Sequence, residues 1–439
     1  MREDEQSAQS EDTWDEDERR LEPRPATGEA PFDLGEVFFS RTDARGVIQA
    51  GNYVFRRVAH YTWEQLIGAP HKMIRHPDMP KAVFWLLWNT IQKGLPVGAY
   101  VKNRAEDGLH YWVFACVVPC EGGYLSARIK PSSGLLATVK AEYAELLKLE
   151  QEEGLTPEQS AQVLLGRIRD LGFEDYQRFE GHALSEELLA RDRGLGTPET
   201  PSILRHRSML DAAIQLKAAT ETLVRDFDSV KIIPHNMRAI ASRLEPTGGP
   251  FRTLSGDYGK MSADISAWFE SNVIGENSNF AAINSSVNTS MFLDGVTQIL
   301  HECAHQLFSE RRRHHGSDIE TERIYLKALA DRYATQSTDS QAVVRVEAER
   351  ILAACGQMQR HILSLQSTRV LCKIESARMG AAGVGLEDII GQLGQFQAKI
   401  AEHLGDVQAL SEAIQAFSMS TDNHAKTASN GPGRRTAMR

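Results

Sequence analysis

The chain has 439 residues, with 49 Lys and Arg against 59 Asp and Glu, a net charge of −10 and a pI near 5.8. That length exceeds what one ordinary core organises, so more than one structural unit is expected. The acidic balance excludes the basic footprint of a nucleic-acid binder.

Residues 1–32 are acidic, contain proline and offer almost nothing to bury, so a disordered arm is expected there. From Phe32 the texture changes. VFFSRTD and GVIQAGN read as two short strands joined by an Asp-Ala-Arg-Gly turn. FRRVAHYTWEQLIG reads as a short helical run, with Thr62 as an N-cap and Gly68 as its stop. KAVFWLLWNTIQKG reads as a helix ended by Gly94. Then come three strands, GAYVKNRA, HYWVFACVVP and GYLSARIK, with turns at Glu106-Asp107-Gly108 and Glu121-Gly122-Gly123. This order predicts an α+β domain over 33–132, an antiparallel sheet with short helices packed on one face.

Past Ser133 the strands stop. Residues 133–202 read as a helical connector broken at Gly154 and Gly172, and 203–418 as a long all-α region, a bundle or coiled coil. Leu210, Ile214, Leu223, Phe227 and Val230 recur at helical spacing. Further on, Leu386, Leu393, Ile400, Val407 and Ile414 recur every seven residues. Ile389, Phe396, His403, Leu410 and Phe417 do so three places later. This is the pattern of a seam, used either in a homodimer whose register His403 sets or in a contact within the chain. Residues 419–439 are polar and read as a flexible tail.

Cys116, Cys120, Cys303, Cys355 and Cys372 form no CxxC pair, which fits a reducing compartment. The most apolar window, Ala82–Trp88, is far short of the roughly 20 residues that a membrane span needs. A cytoplasmic protein with no signal peptide and no membrane span is therefore expected.

The densest chemistry is HKMIRHPDMP. Pro77 fixes its own φ and pushes His76 out of the helical region, so Arg75 and Asp78 sit on a short, stiff turn. That is the build of a small-molecule site wall. The bland alternative is a salt bridge that braces the turn, with Trp88 and Trp112 as core.

The stretch NYVFRRVAHYTWEQLIGAPHKMIRHPDMPKAVFWLLWNTIQKG, with VKNRAEDGLHYWV and GYLSARIK, resembles the PAS domains of bacterial aerotaxis receptors, which hold a flavin and report redox state. The resemblance implies flavin (FAD) retention by Asn52, Arg75, His76 and Asp78, with Trp88 on the following helix. This chain departs from the family at GLPVGA, where Val97 replaces an aromatic residue, so haem or an empty pocket stays open. Flavin binding asks for donors and acceptors at the ring edge, which Asn52 and Asn103 could supply. Cations for the pyrophosphate would come from Arg75 and His76, and aromatic faces from Trp88, with Trp112 counted beside it.

The helical remainder resembles the signalling hairpin of methyl-accepting chemotaxis receptors at NMRAIASRLEPTGG (Asn236–Gly249) and KIESARMGAAG (Lys373–Gly383), with Pro246 and Leu371 departing from the family's tip motif. This implies a homodimer through the helical region that contacts a coupling protein and a histidine kinase.

HECAH at His301–His305 matches the zinc-protease pattern, with Glu320 or Glu322 as a third ligand. On a helix, Val296, Leu300, Cys303 and Leu307 form an apolar stripe that leaves both histidines on the polar side. The reading adopted is a non-enzymatic redox or oxygen sensor with helical output. A zinc-dependent hydrolase and a cofactor-free PAS scaffold are the alternatives.

Overall fold

The structure is a computed structural model that describes residues 24–230, 278–310, 319–378 and 384–429, with single positions between 231 and 277. Most of the acidic arm, the Asn236–Gly249 segment apart from single positions, residues 311–318 and residues 379–383 lie outside it. The described residues form two compact units. One comprises the chain up to Ile203 together with Asn288–Ser337, and the other comprises Leu204–Val287 and Thr338 onward.

The first unit is built on five antiparallel strands, β1 (Val37–Asp43), β2 (Ile48–Gly51), β3 (Val97–Arg104), β4 (His110–Cys120) and β5 (Gly123–Ile129), in the order β2-β1-β5-β4-β3. The β1–β2 turn forms because the Asp43 carboxylate accepts from the amides of Arg45 (2.8 Å) and Val47 (2.9 Å), and Gly46 supplies a φ of +79°. The run read as one helix from Phe55 is two: α1 (Tyr53–Ala59) and α2 (Trp63–Leu66). His60 ends the first in the left-handed region at φ 62°, and Thr62 starts the second with a reciprocal capping box to Gln65. A 3-10 turn (His71–Ile74) and α3 (Lys81–Ile91) complete this layer.

Helices cover both faces of the sheet, where the sequence reading had placed them on one. The reason is visible in β4, which is buried almost without interruption; a strand covered on both faces reads as a continuous apolar run rather than an alternation. Ser40, Ser126 and Arg128 face α1–α3. Tyr100 and Arg41 face the other side, where helices of the connector pack: α4 (Leu135–Glu152), α5 (Pro157–Asp170) and α6 (Tyr176–Leu195). Tyr100 Oη donates to Glu187 of α6 at 2.7 Å, Tyr143 Oη of α4 donates to the Tyr100 carbonyl, and α5 packs beside α3. Residues 24–32, read as part of a loose arm, also pack on this domain. Ala30 and Phe32 are buried, and Arg24 pairs with Asp107 at 2.6 Å.

The remaining helices are α7 (Pro201–Val230), α8 (Asn279–Ser309), α9 (Ile319–Arg378) and α10 (Val384–Ser429). Within the first unit, Arg41 of β1 pairs with Glu322 of α9, and Tyr325 Oη accepts from the Glu121 amide at 3.0 Å. Among the described residues no helix is long and apolar enough to cross a membrane.

In the second unit the seven-residue seam is buried against the chain's own helices. Ile400, Val407 and Ile414 share a core with Leu216 and Leu223 of α7 and Ile351 and Met358 of α9, and Leu393 is buried as well. His403 pairs with Asp226 of α7 at 3.0 Å, beside Lys399 at 2.6 Å, so its partner is internal. A homodimer of the helical region would have to use another face. On α7, Ile214 is exposed, and the buried stripe runs through Met209, Ala213 and Leu216 instead. The side chains of Phe227, Val230 and Leu386 lie outside the described residues. α10 runs to Ser429, past the expected start of the tail.

Gly98 sits where β3 meets α8. A Cβ there would lie 2.8 Å from the Phe292 ring and 2.9 Å from the Phe114 ring, and neither ring can give way cheaply. Gly98→Ala is expected to destabilise the first unit by about 1–3 kcal/mol, read as a lowered urea midpoint with an unchanged slope.

Candidate functional site

Between the sheet and α3 lies a cavity of about 300 Å³, at the lower end of the range of ligand pockets, roughly 300–1,000 Å³. Its walls are mostly apolar: Ile74, Leu87, Ile91, Val101, Ala115 and Val117, with Phe84, Trp88 and Tyr124 as aromatic edges. Trp88 meets Tyr124 edge-on at 5.5 Å and lies over Gly46, where a Cβ would come within 3.3 Å of the indole.

The polar end of the cavity is Arg128, Ser40 and His71. Arg128 is 2% exposed; its Nη2 donates to Ser40 Oγ at 2.9 Å and to His71 Nε2 at 2.5 Å, and its Nη1 donates to the Ser126 carbonyl at 3.3 Å. Its guanidinium lies 5.3 Å from the Phe55 centroid and 5.8 Å from that of Phe38. No carboxylate pairs with it among the described residues. Burial draws its pKa down to about 10, so it stays a cation at neutral pH. His71 stacks on Phe55 with an interplanar angle of 3°. Burial first, then the charges of Arg128 and Arg75, hold its imidazole well below 6.5. A neutral ring with its Nε2 lone pair towards Arg128 follows, and Ser40 Oγ lies 3.1 Å from the same nitrogen.

Two further groups complete the wall. Asn103 is 3% exposed and lines the cavity, and its Nδ2 has no hydrogen-bond partner among the described residues. A buried orphan donor costs folding free energy unless something else satisfies it. Arg75 lies with its guanidinium 3.4 Å from the Phe84 centroid. The Arg75 backbone pairs with Asn103 on β3, and the His76 amide donates to the Lys102 carbonyl at 3.3 Å, so the RHPD turn is zipped to the strand. Arg75, Phe84 and Trp88 also border an outer cleft of about 430 Å³ with Lys81, Trp85 and Asn89.

Of the residues singled out in the sequence, Arg75, Trp88 and Asn103 line the cavity and the others do not. Asn52 is buried behind β1 and caps α1. His76 and Asp78 sit on the outer side of the turn. Asp78 pairs with Lys102 at 2.7 Å, not with Arg75, and this bond holds its carboxyl below the usual range. Trp112 packs on Tyr143 and Lys140 of α4. Val97 is buried with Ile91 and Val117 and is not among the residues that line the cavity. Sequence reasoning missed Arg128, His71, Ser40, Thr42, Tyr124 and Ser126. The alternation Tyr124, Ser126, Arg128 places these three on one face of β5 and was the available signal.

The HECAH helix shows its apolar stripe buried and both His301 and His305 exposed. Glu302 is paired with Arg191 at 2.6 Å, Glu322 with Arg41, and Glu320 with Arg323. Among the described residues no group of three His, Cys, Asp or Glu could hold a metal ion.

A family model described as the PAS fold matches residues 51–123. The aerotaxis receptor of Escherichia coli (strain K12) is 45% identical over 121 residues, which cover 26% of this chain and 24% of the receptor. The match thus spans about a quarter of the relative's length. Among solved structures, the light state of the blue-light photoreceptor Aureochrome1 LOV is 26% identical, over 26% of this chain and 90% of that one, with a TM-score of 0.20. A fungal LOV domain photoreceptor is 16% identical, over 25% and 81%, with a TM-score of 0.19. The sheet and short helices of this region form a PAS fold, followed by long helices.

Since the folded state resists protonating His71 while the unfolded chain takes a proton near 6.5, this residue lowers stability as pH falls below 6.5. His71→Gln is expected to flatten that part of the pH profile, measured as the difference in urea midpoints of variant and wild type between pH 7 and pH 5.

Proposed function

We propose that the chain is a non-enzymatic sensor whose PAS domain holds a flavin, with the ring in the inner cavity and the phosphate-bearing tail towards the outer cleft. The reading is carried by one observation: an amide donor without a partner among the described residues, Asn103 Nδ2, and a carboxylate-free Arg128 both border a cavity with mostly apolar walls. These residues fit a flat, largely apolar ring with acceptors on its edge. Asn103 gains the acceptor it lacks, and Arg128 gains an electron-rich neighbour. The neutral His71 orients Arg128 without adding a second charge. Trp88, Leu87 and Ile91 keep water from the ring face, while Arg75 and Lys81 at the outer cleft suit phosphate.

A bound flavin supplies reversible electron uptake. The chain's part is to make added negative charge favourable, and a desolvated guanidinium does this more strongly than an exposed one. Similarity to part of the aerotaxis receptor supports a sensory role for this domain. In the same reading the protein is cytoplasmic, and its helical region pairs with a second copy and passes redox or oxygen state to a coupling protein and histidine kinase.

Purified protein reconstituted with FAD is expected to be yellow, with the flavin retained through gel filtration; a colourless protein overturns the reading. Arg128→Met is the sharper test. It is expected to lose the flavin while leaving the ligand-free protein as stable as before, or more stable by up to about 4 kcal/mol, because it removes a buried, unpaired charge. Flavin retained by Arg128→Met would remove Arg128 from the site.

A further inference from the structure

Asn52 is fully buried yet stands outside the cavity, and all its amide atoms are used. Its Oδ1 accepts from the Phe39 amide at 3.1 Å and from the Phe55 amide at 3.4 Å. Its Nδ2 donates to the Val37 carbonyl at 3.1 Å and to Glu310 Oε1 at 3.3 Å. Glu310 directly follows α8, and its Oε2 accepts at 2.8 Å from the amide of Tyr53, the first residue of α1. The orphan amides at the start of a helix are a favourable place for a carboxylate. Here it comes from a distant part of the chain, and Gln306 Nε2 steadies it at 2.7 Å.

The same contacts run on to the cavity. Phe39, whose amide Asn52 holds, is followed by Ser40, whose Oγ is the acceptor for Arg128 and neighbours His71. A displacement of Ser40 therefore moves the strand segment that Asn52 grips, and Asn52 shares its other end with Glu310.

We propose that Asn52 and Glu310 are positioning residues that join the cavity wall at Ser40 to the Asn288–Ser309 segment of α8, so that a change in the cavity is felt in that helix. The sensor reading supplies what would change the cavity; the joint itself is independent of it. Burial pushes the Glu310 carboxyl up to about 7, against the bonds from Gln306 and Tyr53; Glu36 adds to the rise and Arg57 opposes it.

The test is hydrogen–deuterium exchange of residues 288–309 in the full chain with no ligand added, for wild type, Ser40→Val, Glu310→Ala and the double variant. Ser40→Val is expected to change exchange in this segment by about threefold or more when Glu310 is present, and not when it is absent. An equal effect in both backgrounds, or none in either, overturns the joint. If Glu310→Ala loosens β4 as well, Glu310→Gln takes its place, since it keeps the shape of the side chain, and the same outcomes decide. In a second arm, protein loaded with FAD is reduced with dithionite; the exchange change in 288–309 is expected in wild type and lost in Glu310→Gln, with the visible spectrum of the two alike. If no variant binds flavin, the sensor reading fails and the ligand-free cycle still decides the joint.

Discussion

A guanidinium buried beside Phe38 and Phe55, with a hydroxyl, a carbonyl and a neutral imidazole as its hydrogen-bond partners, is expensive to keep folded. Desolvating an ion costs several kcal/mol even after relaxation, and hydrogen bonds to neutral groups offset only part of it. Much of the first unit follows from that constraint. His71 must stay neutral, or two cations would lie within hydrogen-bond distance of each other. Ser40 must point inward, which fixes the face of β1. The apolar surface around the polar end must close tightly, and it does so through a core continuous from the short helices across the sheet.

Closure is secured from the other direction by carboxylates on helices distant in sequence. Glu150 of α4 accepts from the amides of Lys81 (2.8 Å) and Ala82 (3.4 Å) at the start of α3, where Pro80 provides no side-chain cap. Glu187 of α6 accepts from Tyr100 and from the amides of Ser132 and Ser133. Glu310 does the same for α1. Each satisfies backbone or buried donors that would otherwise be orphaned, and breaking such a bond leaves the full desolvation cost behind. The connector is therefore a part of the PAS domain's wall and not a spacer after it.

The strands, their turns and the short helices are legible in the sequence because each is set locally, by Asp43 and Gly46 in a turn or by Thr62 and Gln65 at a cap. The seven-residue seam is legible for the same reason, since its period is a property of one helix. What it packs against is not, because α7 approaches it from far away in the chain. The site divides along the same line. Arg75, Trp88 and Asn103 stand in distinctive stretches, whereas Arg128 sits in an ordinary strand and gains its character only from burial. Asn52 and Trp112 show the converse. A residue type suited to binding can be spent on capping or packing, and only the fold tells which.

Gly98 carries one more consequence. It lies on β3, the last strand of the sheet, where backbone groups are open to pairing with another chain. Its amide donates to Glu180 at 2.8 Å and its carbonyl accepts from Tyr176 at 2.8 Å, both from α6. Burial keeps the Glu180 carboxyl well above the usual carboxylate range. With both backbone groups taken at this point, an incoming strand finds no ladder to extend. One edge of the sheet is thus guarded at this point by side chains of a neighbouring helix, so strand addition there would first require α6 to detach.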